Sequence, residues 1–153
     1  MILNTNTILN MEKINRNAII EYSALQMFDL VNNIEDYPKF IPMCESINIH
    51  RNNESEATGI MKVVKGPIKF DLGTYNTWKK PEKINMKLLK GPFKHFEGEW
   101  NFKSLEKESC KISLKVEFEF SNIILNLTTG IVLKALTNQM FDSFYKRALK
   151  IYS

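Results

Sequence analysis

Residues 110–120, CKISLKVEFEF, place Cys110, Ile112, Leu114, Val116, Phe118 and Phe120 on one parity and Lys111, Ser113, Lys115, Glu117 and Glu119 on the other. Successive side chains of a strand point to opposite faces, so this stretch is a strand with one face for a core and one for water. From about Asn122 the apolar spacing changes from 2 to about 3.6 and keeps that period to the end of the chain. Some thirty residues of helix, roughly 45 Å at 1.5 Å per residue, therefore follow the strand directly and must lie on its apolar face. In the second half of this helix Leu133, Leu136, Met140, Phe141, Phe144, Ala148 and Ile151 form a stripe, with Lys134, Asp142, Lys146 and Lys150 opposite. The first half, 123–132, is apolar on nearly every side, as a segment fully buried or reserved for a ligand, a membrane or a partner would be.

Reading back from Cys110, the period stays near 2 as far as Cys44. Turn clusters at His50–Ser55, Lys65–Pro67, Lys79–Lys83, Lys90–Pro92 and Glu106–Ser109 divide this span into six runs. Connections this short admit only hairpins, which makes the sheet an antiparallel meander. Ahead of it, Ala18, Ile20 and Tyr22 alternate within a strand expected over Ile14–Tyr22. Ser23 and Gln26 then form a capping box, and Met27, Phe28, Leu30, Val31 and Ile34 recur at helical spacing. Pro38 is expected to stop that helix, with a short second turn between Asp36 and Pro42. The fold class is α+β: a curved seven-stranded antiparallel sheet around a long C-terminal helix. One helix about 10 Å wide cannot fill a broad concave face, so an apolar cavity is expected between them.

The totals fit one domain. The chain has 153 residues, 44% hydrophobic and 25% charged, with ten Phe, five Tyr and two Trp to build an aromatic core. Residues 1–10 read as a flexible tail, or as the product of a translation start placed too early, and 11–153 as the domain, since Met11 opens a natural start and the first ten residues lack the basic residue of a secretory signal. A net charge of +4 suits an anionic partner, nucleic acid or membrane. Cys44 and Cys110 lack zinc or disulfide-framework spacing and read as free thiols of a cytoplasmic protein. No apolar run is long enough to span a bilayer.

The stretch KGPFKHFEGEW, 90–100, resembles an acid/base cluster until it is oriented. Phe96, Gly98, Trp100 and Phe102 share one face and must point to the core, which leaves His95, Glu97, Glu99, Asn101 and Lys103 on the wet face. A cross-strand ion pair with Lys115 is the expected role of one of the two glutamates. No Ser/His/Asp order, metal spacing or phosphate loop is visible, so no catalytic residue, no metal and no required cofactor are assigned. The near-duplicates KGPIKFDLG, 65–73, and KGPFKHFEG, 90–98, both begin with a Gly-Pro turn. Alternate hairpins of a meander lie at the same end, which groups Lys65, Lys69, Lys90 and Lys94, with Lys62 nearby, into a basic rim. Such a rim suits phosphate of a lipid headgroup or an RNA backbone, and equally an ordinary solvated edge. Without interleaved aromatics, nucleic acid would be met by charge and shape alone, and no DNA contact is expected.

The segments YSALQMFDLVNNIEDYPKFIPMC (22–44), KLLKGPFKHFEGEWNF (87–102) and CKISLKVEFEFSN (110–122), with a terminal KRALKIYS, resemble the START-like coenzyme Q-binding protein family and its bacterial branch of ribosome association toxins. The resemblance covers nearly the whole chain after Met11 and implies a helix-grip fold with an apolar cavity. It also implies one of two activities. One is non-enzymatic binding of ubiquinone or a similar prenylated quinone in support of respiratory electron transfer, with a peripheral contact at the inner membrane. The other is binding of the large ribosomal subunit so that subunit joining and translation initiation are blocked. The chain departs from the pattern at Tyr75, where GTYN stands for the usual TTRN and a forked cation is lost. The residues expected to line the cavity are Phe70, Leu72, Met86, Leu88, Phe96, Trp100 and Phe118 of the sheet and Leu133, Leu136 and Met140 of the long helix. Phe28, Tyr37 and Phe40 are expected near its mouth.

Overall fold

The computed structural model describes residues 11–121 and 123–153, with the backbone alone for 123–127; the expected tail, 1–10, lies outside them. Seven strands, β1 (Glu12–Ile20), β2 (Cys44–Asn53), β3 (Glu56–Lys65), β4 (Ile68–Lys79), β5 (Lys83–Lys90), β6 (Phe93–Glu106) and β7 (Ser109–Phe120), form one sheet. Its order is β1-β7-β6-β5-β4-β3-β2, so consecutive strands from β2 to β7 are neighbours and β1 closes against β7. All the pairings are antiparallel. The alternation in β7 has the expected sense: Cys110, Ile112, Leu114, Val116, Phe118 and Phe120 are all buried, and the intervening residues face solvent.

The first strand begins and ends two residues earlier than its alternation predicts. Its pairing partner sets the limits, because Glu12 faces Phe118 and Ile20 faces Cys110. Tyr22 is outside it and instead packs at a tilt on Tyr152, with ring centroids 5.4 Å apart and planes at 53°. Helix α1 (Ala24–Asn32) starts at the capping box: Gln26 N–H donates to Ser23 Oγ at 3.1 Å, and Ser23 N–H donates to Gln26 Oε1 at 2.9 Å. Two orphan amides of the first turn are thereby satisfied. Pro38 does not stop this helix. α1 ends at Asn32, a 3₁₀ turn covers Ile34–Asp36, and Pro38 lies in the first turn of α2 (Tyr37–Phe40), where a missing N–H costs nothing.

Helix α3 (Ile123–Tyr152) lies across the concave face. Leu133, Leu136, Phe141, Phe144 and Ala148 are buried, each apolar side chain contributing about 1.5–3 kcal/mol except the smaller Ala. Ile151, expected on the buried stripe, is 46% exposed, since the last turn packs through Ala148 and through Tyr152, whose ring meets Tyr22. The expectation of an all-round apolar segment at 123–132 lies in part outside the described side chains; of the remainder, Thr129 and Val132 are buried and Ile131 is 70% exposed. The helix is tied to the β1 edge by Arg16–Asp142 at 2.8 Å and Lys134–Glu12 at 3.0 Å. Its end is tied to α1 by the Tyr152 hydroxyl, which donates to the Gln26 carbonyl at 2.8 Å. Trp100, 1% exposed, sits at the centre, stacked at 6.1 Å on both Phe102 and Phe141 and edge-on to Phe144 at 5.3 Å.

Candidate functional site

Between the sheet, α1 and α3 lies a cavity of about 70 Å³. Of the residues expected to line it, Leu72, Met86, Phe96, Trp100, Leu133, Leu136 and Met140 do so, as does Tyr37 from the short helix. The other five are placed elsewhere. Phe28 packs edge-on against Phe102 at 5.8 Å, and Phe40 against Phe144 at 5.3 Å beneath the Arg147 guanidinium, 4.9 Å from its ring. Phe70 and Phe118 both join the cluster around Phe120, with centroids 6.0 Å and 5.6 Å away, and Leu88 packs on the core without reaching the cavity. Parity was right for these sheet residues, but parity gives a face and not a position along it. The aromatic cluster at that end of the sheet fills the concavity before the cavity begins.

Sequence reading missed the cavity's polar wall. Thr74 and Asn76 of β4, Asn32 at the end of α1 and Thr137 of α3 all line it. Thr74 Oγ1 donates to Asn76 Oδ1 at 2.8 Å, and Thr137 Oγ1 donates to the Leu133 carbonyl at 2.8 Å. The signal was present in GTYN: Thr74 and Asn76 share the inward parity of Leu72, so two polar side chains stand where the alternation demands apolar ones. Tyr75, between them, points outward, and the Glu56 carboxylate that takes its hydroxyl hydrogen bond pushes the phenol above its ordinary pKa. Tyr37 closes the α2 side. Its hydroxyl donates to the Val31 carbonyl, and burial drives its pKa well up.

On the convex face, Glu99 stands opposite Lys115 as one of the two glutamates was expected to. The ion pair it makes is on the other flank, with Lys83 at 3.4 Å. Asn101 Nδ2 donates to Glu99 at 2.7 Å, and this bond first, the lysines after it, holds the carboxyl below its ordinary value. Such a carboxylate is charged at neutral pH and has no proton to give. His95 Nε2 lies 3.0 Å from Glu117 Oε1, and ligand atoms of His95, Glu97 and Glu117 fall within 4.8 Å of one another. Lys87 faces Glu97 and Lys13 faces Glu117 in the neighbouring strands, so lysines already flank both carboxylates.

Of the five lysines of the predicted rim, Lys65 ends β3, Lys90 ends β5, Lys69 and Lys94 are second in β4 and β6, and Lys62 lies three residues inside β3. Lys69 and Lys90 flank a shallow depression with Pro92 and Thr129. They are not a uniform basic lip: Lys90 pairs with Asp71 at 3.9 Å and Lys94 with Glu119 at 3.4 Å, and Asp71 also faces Lys62 across the β3–β4 ladder. Lys62, Lys65 and Lys69 make no ion pair among the described residues.

This architecture is shared with known proteins. Residues 20–145 match the family described as polyketide cyclase / dehydrase and lipid transport. The chain belongs to that family. Among curated proteins, it is 37% identical over 143 residues to the ribosome association toxin RatA of Escherichia coli (strain K12), covering 94% of this chain and 90% of that protein. It is 23% identical over 133 residues to the mitochondrial coenzyme Q-binding protein COQ10 of Drosophila melanogaster, covering 84% of this chain and 55% of that one. The Zhui aromatase/cyclase of Streptomyces sp. R1128 has the same START-like fold, with a TM-score of 0.83 at 12% identity over 94% of this chain and 96% of the other. The proteins that this chain resembles in sequence are thus named as a toxin and as a binding protein, and one that it resembles in fold is named as a cyclase. Among the described residues no helix is long and apolar enough to cross a membrane.

Proposed function

We propose that this protein works by binding and not by catalysis, and that its ligand is an apolar molecule of the prenylated quinone class, ubiquinone or a relative, held under α3. The observation that carries this reading is the cavity itself, lined by Leu, Met, Phe and Trp side chains of the sheet and the long helix. The family's lipid-transport description and the name of its coenzyme Q-binding member support it. Ligand pockets usually run to about 300–1,000 Å³, so a cavity of about 70 Å³ is a closed state that must widen to admit a ring and its tail. Burying hydrocarbon gains roughly 0.8 kcal/mol per CH₂, and the ten carbons of two prenyl units would repay the opening. The same chemistry implies transient contact with the inner membrane surface. Mass spectrometry of an organic extract of natively purified protein is the test; a persistent absence of any quinone or other lipid sinks the reading.

A second reading, association with the large ribosomal subunit, is favoured by the names of relatives at 34–37% identity over at least nine-tenths of this chain. It uses the surface and is compatible with a filled cavity. Lys62, Lys65 and Lys69 of the rim, which make no ion pair among the described residues, supply the charge that an RNA backbone requires. Added protein then raises the free-subunit fraction in a sucrose gradient, and Lys62→Glu/Lys65→Glu/Lys69→Glu abolishes the effect. An unchanged subunit distribution at saturating wild-type protein excludes it.

A further inference from the structure

The cavity holds an amide that the fold does not use. Asn76 is 5% exposed, and its one hydrogen bond among the described residues is the one its Oδ1 accepts from Thr74. That bond fixes the amide plane and leaves Nδ2 as an unemployed donor at the cavity wall. Asn32 lines the same cavity, and its Oδ1 is buried without a partner. Buried polar groups are hydrogen-bonded in the great majority of cases, because stripping water from them is costly. Packing does not call for either amide. Leu72 and Trp78 flank the Thr74–Asn76 pair on the same face of β4, and Val31 precedes Asn32 in α1. With the Thr74 and Thr137 hydroxyls already donating within the fold, one free donor and one free acceptor define the chemistry that an occupant must bring.

We infer that the polar wall is a head-group subsite in which Asn76 Nδ2 donates to an oxygen of the occupant and Asn32 Oδ1 accepts from one of its hydroxyls. This inference rests on the apolar-ligand reading and adds a chemical preference to it. A quinone offers carbonyl oxygens, which only accept, so it satisfies Asn76 and leaves Asn32 unpaired. A quinol offers hydroxyls, which both accept and donate, and so satisfies both. The protein therefore holds the quinol form in preference to the quinone. Nothing is oxidised or reduced in the cavity; it selects between two forms presented to it.

Equilibrium dialysis under anaerobic conditions tests this with three probes: a diprenyl quinone, the same molecule kept reduced as the quinol, and a prenyl hydrocarbon without oxygen. One additional buried hydrogen bond corresponds to about a tenfold difference in affinity. Wild-type protein is expected to bind the quinol about tenfold more tightly than the quinone. Asn32→Leu should remove that preference while leaving quinone affinity unchanged. Asn76→Leu should weaken both oxygenated probes about tenfold and leave the hydrocarbon alone. Equal wild-type affinity for quinol and quinone overturns the inference while leaving the apolar-ligand reading in place, and needs no variant to fold. Variants that match wild type on all three probes overturn it as well. If wild type binds none of the three, the apolar-ligand reading falls and takes the inference with it.

Discussion

If Thr74 and Asn76 serve a ligand and not the fold, removing their polarity should make the empty protein more stable. The double variant Thr74→Val/Asn76→Leu keeps the number and branching of side-chain heavy atoms at both positions, and the adjoining cavity of about 70 Å³ can take the extra bulk of the Leu methyls. It deletes one hydrogen bond, Thr74 Oγ1 to Asn76 Oδ1, worth about 1 kcal/mol net. It also removes the Asn76 N–H that has no partner among the described residues, whose desolvation costs about 1–3 kcal/mol in protein mutational series. The balance is centred on a gain of about 1 kcal/mol. For a domain of this length that raises Tm by roughly 2–4 °C. Thr74→Val alone should be destabilising, because it leaves Asn76 with neither of its amide atoms paired. The assay is thermal unfolding of ligand-free wild type, single and double variants, followed by circular dichroism. A double variant less stable than wild type by 1 kcal/mol or more would refute the reasoning and make the pair a structural element of β4.

Other outcomes follow from the packing and the electrostatics. Trp100→Ala should cost about 3–5 kcal/mol, lowering Tm by about 10 °C, since the indole is fully buried against Phe102, Phe141 and Phe144; a drop under about 3 °C in a thermal melt would mean that these rings do not depend on it. Burial pushes the Cys44 and Cys110 thiols up to about 11. Their neutral forms contribute stability that is complete below the unfolded value near 9 and lost as pH rises towards 11, so urea midpoints should fall over that window, and less steeply in Cys44→Ala/Cys110→Ala. The same two thiols should react with a thiol reagent at pH 8 only after denaturant is added; rapid labelling of native protein would contradict their burial. The Arg51 guanidinium, which donates to both Glu35 oxygens at 2.8 and 3.1 Å, holds that carboxyl below its ordinary value. This contribution is present above about pH 4.5 and lost as pH falls below it. Glu35→Gln should therefore flatten the acid limb of a stability-versus-pH curve, and an unchanged limb would show that the pair is inert.

Much of the architecture was legible because its causes are local. The capping box of Ser23 and Gln26, the alternation of β7 and the Gly-Pro turns each need only a few adjacent residues, and each lies where it was expected. The limits of β1 and the role of Pro38 were not legible, since the first depends on the length of a partner strand and the second on where the chain had already turned at Asn33. For the cavity, parity placed Leu72, Met86, Phe96 and Trp100 on the right face. It could not separate them from Phe70 and Phe118, which share that face but pack into the aromatic cluster around Phe120. His95, Glu97 and Glu99 were correctly set on the wet face, but which lysine pairs with Glu99 depended on side-chain reach across two strands.

What the sequence determined by itself is the frame: the period of each segment, the turns between them, and hence a meander closed by one long helix. Periodicity encodes direction relative to the local backbone, and direction is all that a frame requires. The tertiary structure alone decided what lies inside it. Whether a buried amide has a partner depends on atoms brought from distant parts of the chain, and Asn32 and Asn76 are joined at one cavity only once α1, β4 and α3 are assembled around it. Their unpaired atoms are a property of that assembly, and no spacing along the chain expresses it.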